Sequence, residues 1–264
     1  MNTATRAFWN TQFQMSAFLP DADDWPPRYA ALSAAATARH GAPQRIATGP
    51  EPMQALWRIR SGRPSHAMIF IHGGYWRRYA AADYMYAVEA AAAADATFYS
   101  VDYRLMPGVR MADLVADCEA ACRAALAEVT RAVIVGHSAG GHLTAEMARR
   151  LSGPVAAALP VSGLFALDPL RGSFLQDEIA LTAEEVAEFS PLEAAGDIAV
   201  PVDLFVGADE TVEFHRQSAR LCDALHEAGT PATFTELPGH HLAVIAELAN
   251  PESPLTRRIA HHLL

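Results

Sequence analysis

The chain has 264 residues, of which 51% are hydrophobic and 19% charged, enough to bury a large core in one globular unit. A formal charge of −10 argues against a nucleic-acid or anionic-membrane partner. All 20 basic residues are arginine, which excludes Schiff-base and lysine-general-base chemistry, and 3 cysteines do not make a disulfide framework.

The first 50 residues, with Trp25-Pro26-Pro27 and a helix-like stretch over 29–39, read as an N-terminal arm or partial cap rather than a domain. The start of the chain mixes Asn, Thr, Arg and Gln with aromatics and lacks the continuous apolar run of a secretory signal. The alanine stretch 90–94 is far too short to span a membrane. A cytoplasmic chain is therefore expected, forming a single domain over 1–264 with a small-molecule substrate and no membrane or nucleic-acid partner. Nothing in the sequence fixes the oligomeric state, and a homo-oligomer is compatible with it.

From residue 56 onward, short apolar runs alternate with helix-length segments. Residues 56–60, 67–71, 97–101, 132–135, 155–161, 202–206 and 233–237 read as strands. That alternation predicts an α/β fold with a mostly parallel central sheet and helices on both faces. Its ligand site is expected at the carboxyl ends of the strands.

His72-Gly73-Gly74-Tyr75-Trp76 follows the strand 67–71. Two adjacent glycines let backbone N–H groups turn inward, so Gly73 and Gly74 are candidate oxyanion donors. Losing one such donor typically costs about 3 kcal/mol of transition-state stabilisation. His72 reads as an organiser of the loop, whereas Tyr75 and Trp76 are candidate substrate-binding aromatics, with core packing as the rival reading. Arg77 and Arg78 stand close enough to the mouth to attract a substrate carboxylate. Farther on, Tyr103 and Arg104 end another strand, and Arg104 with Asp117 reads as a structural ion pair. Cys118 and Cys122, one helical turn apart in an alanine-rich segment, read as small core residues.

Gly136-His137-Ser138-Ala139-Gly140 joins the strand 132–135 to a helical segment over 143–151. A strand turning abruptly into a helix forces the central residue into a strained conformation, and the flanking glycines remove side chains that would collide there. Ser138 is the candidate nucleophile and the N–H of Ala139 the further oxyanion donor. His137 fills the variable position of the turn and His142 opens the helix. After the strand 155–161, residues 164–196 form a long excursion containing Pro169, Gly172 and the acidic stretch 182–188, as expected of a lid.

Nucleophile, acid and histidine follow in that chain order in folds of this kind. The acid is expected after the strand 202–206, where Gly207-Ala208-Asp209-Glu210 offers two carboxylates. The spacing from the strand end favours Glu210, with Asp209 as the alternative. Gly239-His240-His241-Leu242 follows the last strand, and His241, next to an apolar helix over 242–248, is the candidate base. No histidine or cysteine spacing suggests a metal, and no cofactor is expected.

These stretches resemble the α/β-hydrolase superfamily, and within it the arylformamidase (kynurenine formamidase) group near the hormone-sensitive-lipase-like esterases. His72–Trp76 looks like that group's HGGYW signature, Gly136–His142 like its GHSAGGH elbow, 161–169 like its segment after the elbow helix, and 206–218 like its acid-bearing turn. The group's triad carboxylate stands three residues before a Glu-Phe pair, here Glu213-Phe214, which again indicates Glu210. Leu242 stands where the group usually has phenylalanine. The resemblance implies hydrolysis of N-formyl-L-kynurenine to kynurenine and formate. A general small-ester carboxylesterase would use the same residues. A catalytically silent binding protein on this scaffold would show a lost triad member, whereas serine, carboxylate and histidine are all present in order.

Overall fold

Residues 3–15 and 19–264 are described in this computed structural model. Among them, eight strands form one sheet: β1 (Gln44–Ala47), β2 (Ala55–Ile59), β3 (Arg63–Ile71), β4 (Ala96–Asp102), β5 (Arg131–His137), β6 (Val155–Val161), β7 (Val202–Gly207) and β8 (Ala232–Leu237). Their order is β1-β2-β4-β3-β5-β6-β7-β8. β1 and β2 run antiparallel to their neighbours, and the other strands are parallel. The expected mostly parallel sheet is present.

The central apolar runs, 67–71, 97–101, 132–135 and 202–206, are buried on both faces, as strands under two helical layers must be, whereas the edge strand β8 leaves Thr233 and Glu236 exposed. In β3, Ile69 and Ile71 enter one layer while Met68 and Phe70 enter the other. The helices α4 (Met111–Leu126) and α5 (Ala139–Arg150) supply the first layer through Leu114, Cys118, Cys122, Leu143 and Met147. Burial pushes the Cys122 thiol up to about 12, in keeping with its reading as a core residue. The opposite layer is built from α3 (Val88–Ala93) and the C-terminal helix Pro254–Leu263, with Val88, Leu255 and Ile259 facing the sheet.

The N-terminal region holds α1 (Thr3–Phe13) and α2 (Trp25–His40). Its last residues are not part of an arm. Residues 44–47 form β1, whose side chains are exposed apart from half-buried Ile46, so the strand carries almost no apolar signal. β3 also starts earlier than its apolar run, with a shift in its pairing to β4 between Arg63 and Ala67. The excursion after β6 contains α6 (Asp168–Arg171), α7 (Gln176–Ile179) and α8 (Ala183–Glu188). Thr182 caps α8, and Glu185 reaches back to Arg110 Nε at 3.0 Å and Met111 N at 3.2 Å, anchoring the excursion to the start of α4.

The arm is tied to the same end of the sheet. Asn10 Oδ1 accepts the N–H of Phe174 in the excursion at 2.7 Å. Thr211 Oγ1 donates to Gln12 O at 2.9 Å, beside the start of α9 (Val212–Glu227). Arm and excursion therefore meet over the carboxyl ends of the strands. No helix among the described residues is long and apolar enough to cross a membrane.

Candidate active site

The turn between β5 and α5 is as tight as its glycines imply. A Cβ on Gly140 would lie 2.0 Å from Ile71 O, and one on Gly136 would lie 2.2 Å from Gly140 O, so neither position has room for a side chain. Between them Ser138 adopts φ 59° and ψ −119°, a conformation held by its surroundings rather than by local preference. Its N–H donates to Val161 O at 2.9 Å. The serine is almost fully buried and borders a cavity of about 450 Å³.

β7 ends at Gly207, and the turn that follows points Glu210 back across the sheet end. Glu210 Oε1 accepts the N–H of Gly207 at 2.7 Å and the hydroxyl of Ser162. Glu210 Oε2 accepts from His241 Nδ1 at 2.6 Å, and both side chains are nearly sealed from solvent. That bond places the imidazole proton on Nδ1 and leaves Nε2 as the lone-pair nitrogen. Asp209 is exposed and its N–H donates to Gly239 O at 3.1 Å, so the alternative carboxylate does not hold the imidazole. One residue of turn separates an acid aimed inward from one aimed at water.

His241 is held from several sides. It opens the short helix α10 (His241–Val244), which continues as a tight turn over Ile245–Ala249 rather than as the single helix expected over 242–248. His240 caps this helix, its Nδ1 accepting the N–H groups of Leu242 and Ala243 at 3.2 and 3.3 Å. The ring of His241 lies between those of His137 and Phe214, at 4.6 and 4.5 Å between centroids. His137 Nε2–H donates to His241 O at 2.8 Å. Burial, followed by the neighbouring His241, holds the His137 imidazole well below the usual histidine range, so it stays neutral.

The glycine loop after β3 sits against this serine. A Cβ on Gly73 would come within 3.1 Å of Ser138 Cβ, and Gly74 borders the cavity with φ 104°. Ala139 is the first residue of α5, where an N–H has no acceptor inside its own helix. Gly73 and Ala139 thus lie directly against Ser138, with Gly74 on the cavity wall beside it. His72 organises the loop as expected, its Nδ1–H donating to Gly73 O at 2.8 Å and its ring stacked 4.4 Å from that of Tyr103.

Of the two aromatics that follow, only Tyr75 reaches the cavity, where its hydroxyl donates to Phe13 O at 2.6 Å. Trp76 does not line it. Its indole turns into the core, fully buried, and Nε1 donates to His142 Nδ1 at 3.2 Å while His142 Nε2–H donates to Phe189 O at 2.8 Å. Core packing therefore accounts for Trp76, and His142 anchors the excursion as well as sitting in the helix. The Arg104–Asp117 pair is the structural one expected, bidentate at 2.8 and 2.9 Å.

Sequence reasoning missed several residues of the cavity wall. Phe13 comes from the arm, Phe174 from the excursion, and Tyr79 and Tyr84 from beyond the glycine loop. Arg77 and Arg78 both border it, Arg77 pairing with Glu178 of the excursion. Asp23 supplies a carboxylate at the rim. Ser162, behind Glu210, carried no sequence signal beyond following a strand. Among the described residues no cluster of acidic, histidine or cysteine side chains could hold a metal ion.

The model of the α/β hydrolase fold matches residues 68–245. The chain belongs to the α/β-hydrolase fold family. This hydrolase is similar to the kynurenine formamidase of Danio rerio, at 23% identity over 205 residues covering 72% of this chain and 70% of that one. Among solved structures it resembles a candidate thioesterase from Silicibacter sp. TM1040, with a TM-score of 0.86 and 26% identity over 95% of this chain and 98% of that one. It also shares its fold with a hormone-sensitive lipase from a metagenome library, with a TM-score of 0.67 and 20% identity over 100% and 99% of the two chains.

Proposed function

We propose that the enzyme is a serine hydrolase that cleaves an aryl formamide, N-formyl-L-kynurenine, into kynurenine and formate. The observation that carries this reading is the His241 Nδ1–Glu210 Oε2 bond of 2.6 Å beside a cavity that Ser138 and His241 share. His241 Nε2 takes the proton of Ser138 as Oγ attacks the formyl carbon. The oxygen that becomes negative meets the N–H groups of Ala139 and of Gly73 or Gly74. His241 then gives the proton to the departing aryl amine, leaving a formyl ester on Ser138. Water, deprotonated by His241, attacks that ester, and formate leaves as Ser138 regains its proton.

The likeness to the kynurenine formamidase of Danio rerio supports the choice of substrate. So does the cavity wall. Phe13, Tyr75, Tyr84 and Phe174 suit an aryl ketone, and Arg78 and Asp23 offer charges of both signs for an amino-acid head group. An arylamine whose lone pair is shared with its ring leaves more easily than an alkyl amine, and a formyl group needs little room beside Ser138.

A second reading, a carboxylesterase for small esters, draws support from the shared fold with the hormone-sensitive lipase. Measuring kcat/KM for N-formyl-L-kynurenine beside p-nitrophenyl acetate separates the two. An advantage of a hundredfold or more for the formamide is expected, on the order of what a site that recognises both ring and head group can supply. Equal values would favour the esterase.

A further inference from the structure

Strands β3, β5 and β6 lie side by side, and shortly beyond the carboxyl end of each stands a non-glycine residue with positive φ: Tyr75 at 52°, Ser138 at 59° and Ser162 at 51°. Such conformations cost free energy at every residue but glycine and persist only where the surroundings impose them. The strand-to-helix turn accounts for Ser138. It does not account for Ser162, which is fully buried and precedes no helix.

The backbone at Ser162 still belongs to the sheet, since its N–H donates to Phe205 O at 2.7 Å. Its side chain, turned by the left-handed backbone, donates its hydroxyl to Glu210 Oε1. An ionised carboxylate only accepts, so the direction of that bond is fixed. Glu210 Oε1 thus receives two donors, Ser162 Oγ and Gly207 N, while Oε2 receives His241 Nδ1. The preceding residue, Val161, accepts the N–H of Ser138, so one corner of β6 touches both the serine and the acid.

We propose that Ser162 is a positioning residue, its hydroxyl fixing the oxygen of Glu210 that His241 does not use and so aiming the other at the imidazole. This rests on the reading of Ser138, His241 and Glu210 as the reacting set. The strained turn at Ser162 is what brings the hydroxyl to the carboxylate. A serine in relaxed backbone at this strand end would direct its Oγ elsewhere. With the hydroxyl removed, Gly207 alone holds Oε1, so the loss is graded rather than complete.

Glycine at this position separates position from packing, because it removes the hydroxyl and relieves the left-handed backbone at once. In S162G, kcat for N-formyl-L-kynurenine and for p-nitrophenyl acetate is expected to fall roughly 10- to 100-fold, with KM within about twofold and Tm at or above that of the parent. S162A, which keeps the strain, should lose as much kcat and melt below S162G. A parental kcat in either variant overturns the proposal. So does a loss of kcat that tracks a fall in Tm in S162G, the mark of an ordinary packing defect. S138A, measured alongside, isolates the underlying reading: activity retained there removes the serine mechanism itself, whereas an inactive S138A beside a fully active S162G removes only the role of Ser162.

Discussion

His137 holds the backbone of His241: its Nε2–H donates to the His241 carbonyl at 2.8 Å, and the two rings lie 4.6 Å apart. The residue just before the proposed nucleophile therefore fixes the chain of the proposed base. Two segments 104 residues apart in sequence, joined only by the fold, are locked at one atom. The tautomer follows, since a neutral imidazole with its proton on Nε2 has none on Nδ1.

Removing that donor should loosen His241 without touching substrate. In H137L, kcat is expected to fall about tenfold, near the cost of one buried hydrogen bond, with KM little changed. H137Q places an amide N–H at the reach of Nε2 and should recover most of the loss. Steady-state kinetics on both variants decide it, and equal rates for leucine and glutamine would show that the bond to the carbonyl does not matter.

The two carboxylates of the acid turn should separate cleanly. Glu210 is sealed against His241, whereas Asp209 faces solvent. E210Q is expected to lower kcat on the order of 10³- to 10⁴-fold, because an amide neither holds the required tautomer nor stabilises the imidazolium. D209N should stay within about twofold of the parent. Comparable losses in the two variants would contradict the assignment.

Trp76 should matter for stability and not for the substrate. Replacing it with phenylalanine leaves His142 Nδ1 without its donor in a fully buried site and opens space under the glycine loop. The expected cost is about 1–3 kcal/mol in urea unfolding, with KM for the formamide unchanged. A several-fold rise in KM without loss of stability would return the indole to the substrate wall.

The parts of this site that could be read from the chain are those in which backbone geometry dictates residue type. Gly136 and Gly140 are forced by approaches near 2 Å, and the spacing from the end of β7 favours Glu210 over Asp209. Trp76 could not be read, because adjacent residues in a loop of positive φ can point to core or cavity with equal ease. β1 was invisible for the opposite reason, an edge strand with little apolar side chain to bury. The walls given by Phe13 and Phe174 come from distant segments whose convergence no local pattern records.

Acid should destabilise this fold through its buried imidazoles. Burial holds His72, His137 and His142 below the ordinary histidine value near 6.5, and all three are fully enclosed. Each binds a proton in the unfolded chain at a pH where the folded chain does not. Stability is therefore complete above about pH 6.5 and declines as pH falls below it, at up to about 1.4 kcal/mol per pH unit for each group until its folded value is reached. The carboxylate of Asp203, held low by His262, Arg258 and Thr233 against its own burial, works in the same direction, its share lost only in stronger acid. Urea unfolding at pH 7.5, 6.5, 5.5 and 5.0 should give a shallow decline over the first pair and a steep fall over the last. H142N, whose amide can accept from Trp76 but does not titrate, should flatten that fall while lowering the plateau. An unfolding free energy independent of pH from 7.5 to 5.0 would mean that these rings take up protons alike in the folded and unfolded chains, and burial would no longer account for the pH dependence.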